Sequence, residues 1–202
     1  MATITLSRQL GSLGDEVAHR VAQRLGYQVR YHELINQAAQ RAGKPEMALA
    51  FLDVLGLLDL RPSAQDLLVY QRAMQEIMVE WANTGKVILI GRAGCVLLGG
   101  RPDVLHVRVI APLDVRIERI AQKQGISLSA ARTQVEASDR TRQAYLRRQY
   151  QSDWDDAQLY DLVLNSGRCS VEQAAQIIEV VHRQILEQST TDLSLKQESD
   201  LE

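Results

Sequence analysis

Six arginines in three separate stretches carry the side chains of this 202-residue chain best suited to chemistry. Arg8 follows a short β-prone run, Arg92 stands in Gly91-Arg92-Ala93-Gly94, and Arg140, Arg142, Arg147 and Arg148 crowd one segment, SDRTRQAYLRRQY. A guanidinium presents a planar fork of donors that matches phosphate oxygens two at a time, which a lysine cannot do. Arg8 lies inside Ser7-Arg8-Gln9-Leu10-Gly11-Ser12-Leu13-Gly14, where the two glycines let backbone amides turn inward. The loop leads into an apolar stripe at helical spacing (Val17, Ala18, Val21, Ala22, Leu25), so it faces the open amino end of a helix, a site that favours anions. Ser7, Gly11, Ser12, Leu13, Gly14, Asp15 and Glu16 are the residues expected to border a bound phosphate or other anion. An ordinary strand-to-helix turn accounts for the same residues, because a full phosphate loop reads G-x-x-x-x-G-K-[ST] and no lysine follows Gly14. If phosphate binds here, its cation comes from another part of the chain.

Arg92 has no packing role that its surroundings suggest, and loops past buried strands are where functional side chains collect. Arg140, Arg147 and Arg148 share one helical face, with Arg142 to its side; a solvated face paired with Asp139, Asp153, Asp155 and Asp156 explains them equally well. The Asp153-Trp154-Asp155-Asp156 run could offer carboxylates to magnesium, though a loop partner for the arginines is the simpler reading. His106 and Arg108 read as strand residues at a partly wet edge. No serine–histidine or cysteine–histidine pairing suggests a covalent nucleophile, and Cys95 reads as a small buried hydrophobe.

The elements that must position these groups alternate along the chain. Strands are expected near Ile4–Leu6, Tyr27–Tyr31, Lys86–Ile90, Asp103–Ile110 and Tyr160–Asn165; the third ends in the Gly91-Arg92-Ala93-Gly94 loop, and the others lead into apolar-periodic helices. From Met47 to about Ala82 a helical stretch in two pieces, broken at Leu60-Arg61-Pro62-Ser63 with Ser63 as an N-cap, interrupts that rhythm. Ser127 caps a helix from Leu128 to about Tyr150, and Ser170 with Gln173 forms a capping box for the last helix. Such a pattern implies an α/β fold, a five-stranded parallel sheet with helices on both faces and ligands at the strands' carboxyl ends.

Composition narrows the classes. At 46% hydrophobic the chain can bury one large core, and a formal net charge of −2 argues against a broad nucleic-acid or anionic-membrane surface. The two cysteines, Cys95 and Cys169, lie far apart without metal-ligand spacing, which fits a reducing cytoplasm. No apolar run reaches the ~18 residues of a membrane span. Residues 189–202 are polar and are expected to fray.

Taken together, ITLSRQLGSLGDEVAHRVAQRLGY, VILIGRAG, VLHVRVIAPLDVRIERI, DRTRQAYLRR with DWDD, and YDLVLNSG resemble the cytidylate kinase-like family, a branch of the nucleoside monophosphate kinases with a phosphate-loop fold. The resemblance spans most of residues 2–186 and weakens between about Gly43 and Ala82. It implies one kinase-like domain over residues 1–188, with a helical acceptor-binding insertion (33–84) and an arginine-rich lid (127–157). It also implies transfer of the γ-phosphoryl of ATP, with Mg²⁺, to CMP or a related acceptor. By that pattern Arg8, Arg140 and Arg142 serve the transferring group, Arg92 holds the acceptor's phosphate with Arg147 and Arg148 nearby, and Tyr145 matches a lid aromatic. The expected partners are small nucleotides, with neither nucleic acid nor membrane, and a homodimer is compatible. Related chains end the loop in lysine before Ser/Thr, or carry the S-R-x-x-G-S-x-G form seen here, and usually have an aspartate where Arg30-Tyr31-His32-Glu33 stands. Those departures leave a second reading open, a catalytically inactive nucleotide- or anion-binding module acting through a partner protein.

Overall fold

The structure, a computed structural model, describes residues 2–45 and 63–199. In chain order the elements are β1 (Thr3–Arg8), α1 (Gly14–Leu25), β2 (Gln28–Arg30), α2 (His32–Arg41), α3 (Ala64–Thr84), β3 (Val87–Ile90), α4 (Gly94–Leu97), β4 (Val104–Ile110), α5 (Leu113–Gln124), α6 (Leu128–Tyr150), a 3₁₀ turn (Ala157–Leu159), β5 (Leu162–Asn165) and α7 (Val171–Ser199). The strands form one parallel sheet in the order β2-β3-β1-β4-β5. β1 is central: Ile4 lies between Ile88 on one side and Leu105 on the other.

The expected α/β architecture is the one observed, and side-chain alternation explains its two faces. Ile4 and Leu6 point into a core shared with Val17, Val21, Ala175 and Ile178, which seats α1 and α7 on one face. On the other face, Val87 and Leu89 pack with Leu34, Met74, Ile77 and Met78 of α2 and α3. A smaller cluster of Ile117, Ile120, Ala131 and Val135 joins α5 to α6. The first strand is buried because both faces are covered, so every element after it is placed against a fixed centre.

The capping signals act as read. Ser63 Oγ accepts from the Asp66 amide at 3.1 Å and Ser127 Oγ from the Ala130 amide at 3.2 Å. Ser170 and Gln173 exchange reciprocal bonds of 2.9 and 3.2 Å. The helical piece expected over 47–59 lies outside the described residues.

Three expectations are corrected. β2 and β5 are shorter than read, at Gln28–Arg30 and Leu162–Asn165. The backbone of α7 stays helical to Ser199, beyond the expected end near 188; once Val171 to Ile185 has formed a packed helix, adding turns needs no new nucleus. His106 and Arg108 are buried, not at a wet edge, because β5 covers the outer side of β4. Each has internal partners: His106 Nδ1 meets Thr5 Oγ1 at 2.7 Å, and Arg108 donates through its two terminal nitrogens to the Trp154 carbonyl and to Asp155.

Candidate active site

At the carboxyl end of β1 the chain makes the loop from Gln9 to Leu13 before α1 begins. Every carbonyl from residue 9 to residue 12 is bound by the protein. Gln9 O accepts from Ser12 Oγ at 2.8 Å, Leu10 O from Arg116 at 3.4 Å, Gly11 O from Arg119 at 3.2 Å and Ser12 O from Ser166 Oγ at 2.6 Å. The peptide oxygens are thus tied down by neighbours. Leu13, with φ 59°, caps α1 without a side-chain bond, so the first-turn amides keep no side-chain cap and remain available to an anion. Ser12 itself is fully buried and works on the loop's own carbonyl rather than on a ligand.

Arg8 crosses from this loop to the next one. Its Nε donates to Asp15 Oδ1 at 2.9 Å, and its guanidinium lies 4.8 Å from the centre of the Tyr31 ring. Two glycines clear its path: a Cβ on Gly14 would sit 2.4 Å from Arg8 Cβ, and one on Gly91 2.7 Å from Arg8 Nη1. In the Gly91-Arg92-Ala93-Gly94 turn, Arg92 and Ala93 both adopt left-handed backbone, with φ 52° and 57°. Such conformations cost ~1–3 kcal/mol each and persist where the surroundings impose them. Here they carry Arg92 toward Tyr31, with 5.8 Å between guanidinium and ring centre.

Two adjoining cavities result. The first, about 230 Å³, is lined by Ser7, Arg8, Tyr31, Arg92, Arg142, Tyr145 and Trp154 among others; the second, about 290 Å³, by the loop (Gly11, Leu13, Gly14, Asp15, Glu16) with Arg119 and Lys123 of α5. Arg8 and Arg142 line both. The cavities are therefore two lobes of one cleft, and its waist holds two guanidinium groups.

Electrostatics marks the same point. Burial pushes the Arg142 guanidinium down to about 10, helped by the like charge of Arg8. Arg142 donates to Ser138 Oγ and faces the Trp154 ring at 5.9 Å, but no carboxylate lies within ion-pair distance of it among the described residues. Burial raises the Tyr31 phenol, yet Arg92, Arg8 and Arg142 outweigh that and hold it below the ordinary phenol range. An excess of positive charge gathered in a half-enclosed cleft is a standing attraction for an anion.

The other arginines of α6 do not join them. Arg140 is exposed and, among the described residues, reaches only toward Glu136, at 3.9 Å. Arg147 and Arg148 are exposed as well, and Arg148 Nε donates to the Ala144 carbonyl of its own helix. The inward face of α6 is instead Ala131, Val135, Ser138 and Leu146, and Arg142 lies four residues from both Ser138 and Leu146. The aspartate run serves the loop: Asp155 pairs with Arg108, Asp153 accepts from the Asp155 amide and Asp156 caps the 3₁₀ turn. Among the described residues no group of three Asp, Glu, His or Cys could hold a metal.

Four contributors escaped the reading of the sequence. Trp154 was hidden among its aspartates, Tyr31 looked only like a departure from a pattern, and Arg119 and Lys123 sit on a helix whose apolar stripe was its sole signal. Arg119 ties Gly11 to Ser166, and Lys123 pairs with Glu16 at 3.3 Å.

Residues 3–168 match the sequence model of the cytidylate kinase-like family. The chain is 28% identical over 192 residues to a cytidylate kinase of Methanopyrus kandleri, covering 91% of this chain and 94% of that one. It is also 36% identical over 91 residues to a uronate isomerase of Corynebacterium glutamicum, a match to 45% of this chain that spans only 18% of the isomerase. An uncharacterized protein from Eubacterium ventriosum has a similar solved structure, with a TM-score of 0.71 at 19% identity, covering 91% of this chain and 99% of that one. No helix among the described residues is long and apolar enough to cross a membrane.

Proposed function

The chain belongs to the cytidylate kinase-like family, and we propose that it transfers the γ-phosphoryl of ATP to a pyrimidine nucleoside monophosphate, CMP first among them. The observation that carries this reading is the waist shared by the two lobes, where Arg8 and Arg142 border both. Phosphoryl transfer asks for two substrates brought end to end and for fixed positive charge at the oxygens between them.

In this reading the donor's phosphates lie on the amides of the loop and on the amino end of α1. Arg119 and Lys123 add positive charge along α5, and Arg92 holds the acceptor's phosphate in the other lobe. Arg142, desolvated and without a carboxylate, meets the charge on the transferring group; Arg8, restrained by Asp15, supports it from the loop side. Together they take the place of the lysine absent after Gly14. Tyr145, Leu146 and Trp154 line the acceptor lobe and limit the water that reaches the transferring group. Arg140, Arg147 and Arg148 take no part in this arrangement.

Magnesium fits only as a guest of the nucleotide. Asp15 and Glu16 at the donor lobe are paired with Arg8 and Lys123, so an ion would draw most of its ligands from phosphate and water. When bound, it would neutralise charge on the polyphosphate.

A coupled assay with a panel of nucleoside monophosphates at saturating Mg·ATP tests the proposal. Turnover is expected with CMP above purine acceptors. Nucleotide binding by calorimetry with no turnover of any acceptor would replace the kinase with the binding module.

A further inference from the structure

Trp154 touches the end of β1, the turn after β3 and the helix α6 at once. It is 3% exposed, and its indole Nε1 donates to Ser7 Oγ at 2.9 Å, at the end of β1. Its ring packs with Ala93, beside Arg92, and with Leu146 of α6. Its face is turned to Arg108 at 4.5 Å and to Arg142 at 5.9 Å. An indole of this kind can satisfy one polar partner and carry cations on its π-face at the same time.

The residue is itself anchored. The Trp154 carbonyl accepts from the Tyr160 hydroxyl at 3.0 Å and from the buried Arg108, whose other nitrogen pairs with Asp155. A guanidinium with 5% side-chain exposure on β4 needs those acceptors, because a buried charge left unpaired is strongly destabilising. The requirement of Arg108 therefore pins the segment after the lid helix to the sheet, which brings the indole over the waist of the cleft.

On the strength of the kinase reading, we propose that Trp154 is a positioning residue for phosphoryl transfer: through Ser7 it fixes the end of β1, and with its ring it holds Arg142 at the boundary of the two lobes. A tryptophan that merely filled space would need its ring but not its N–H. The distinction is chemical, so conservative variants can separate the two roles.

The test is a kinetic cycle with Trp154→Phe, Ser7→Ala and the double variant, alongside Ser7→Thr. Trp154→Phe and Ser7→Ala each lower kcat roughly ten- to a hundredfold, the scale of a modest misplacement of reacting groups, with both KM values unchanged. The double variant is no slower than the worse single one, and Ser7→Thr, which keeps a hydroxyl, recovers the rate. The chain has two tryptophans, Trp81 and Trp154. In protein labelled with ¹⁵N at the indoles, Ser7→Ala and CMP with a non-hydrolysable ATP analogue should each move the Trp154 resonance. Wild-type kcat in Ser7→Ala, or additive losses in the double variant, overturns the proposal while leaving the kinase standing. A wild-type protein that turns over no nucleoside monophosphate removes both.

Discussion

The two lobes of the cleft are built from different materials. The donor lobe rests on main chain: four consecutive carbonyls tied back by Ser12, Arg116, Arg119 and Ser166, and a helix that begins without a side-chain cap. The acceptor lobe rests on side chains, with Arg92, Arg142, Tyr31 and Trp154 half-buried or buried around it. A backbone cradle survives changes in side-chain identity, so Asp15 after Gly14 is compatible with the phosphate site proposed for this loop. A lobe of individual guanidinium groups has no such tolerance, so each loss there should be selective.

The largest effect should come from the waist. Arg142→Ala should lower kcat by about 10²–10³-fold, the usual cost of removing one fixed donor to transition-state charge. ATP affinity by calorimetry should stay near that of the wild type. Equal losses in both quantities would make Arg142 a ground-state ligand and blur the contrast between the lobes.

The donor lobe's weak point is its scaffold. It stands on α1, whose seat on α7 includes His182, fully buried with Nε2 2.8 Å from the Tyr27 hydroxyl. Burial lowers the His182 imidazole from 6.5 to about 4. The folded protein therefore binds fewer protons than the unfolded chain between those values. Stability is whole above about pH 6.5 and is lost as pH falls toward 4, by ~3 kcal/mol for the full separation. Urea midpoints should trace that decline, and His182→Leu should flatten it.

Arg92→Ala should raise the KM for the acceptor roughly tenfold or more while leaving the KM for ATP alone, consistent with ~1.5–3 kcal/mol for a charged hydrogen bond. Initial rates at varied CMP would show it. Smallest of all, Arg148→Ala should leave kcat intact and stability within ~0.5 kcal/mol, because its side chain is exposed and, among the described residues, bonded only to its own helix. A marked loss of activity there would restore the outer face of α6 to the site.

Much of this was legible in the sequence. Strand order aside, the alternation of apolar runs and helical stripes gave the sheet, and Ser63, Ser127 and the Ser170–Gln173 pair marked helix starts that the structure keeps. Arg92 drew notice as a charged residue between glycines past a buried strand, and it borders the first cavity. The arginines of α6 were read less well, since four of them on one helix invite grouping by mutual spacing. The inward face was nevertheless encoded: Val135 and Leu146 are apolar, and Arg142 falls seven residues after one and four before the other. Trp154 could not be reached that way, because its role depends on Arg108 and Ser7, residues 46 and 147 positions distant.

The most direct measurement is calorimetric titration of a bisubstrate, adenosine and cytidine joined 5′ to 5′ through five phosphates. The account predicts one molecule bound per chain, far more tightly than ATP or CMP alone, with that advantage abolished in Arg142→Ala and kept in Arg148→Ala. A bisubstrate that binds no better than ATP would mean that the two lobes do not take their ligands end to end, and the waist of arginines would lose its function.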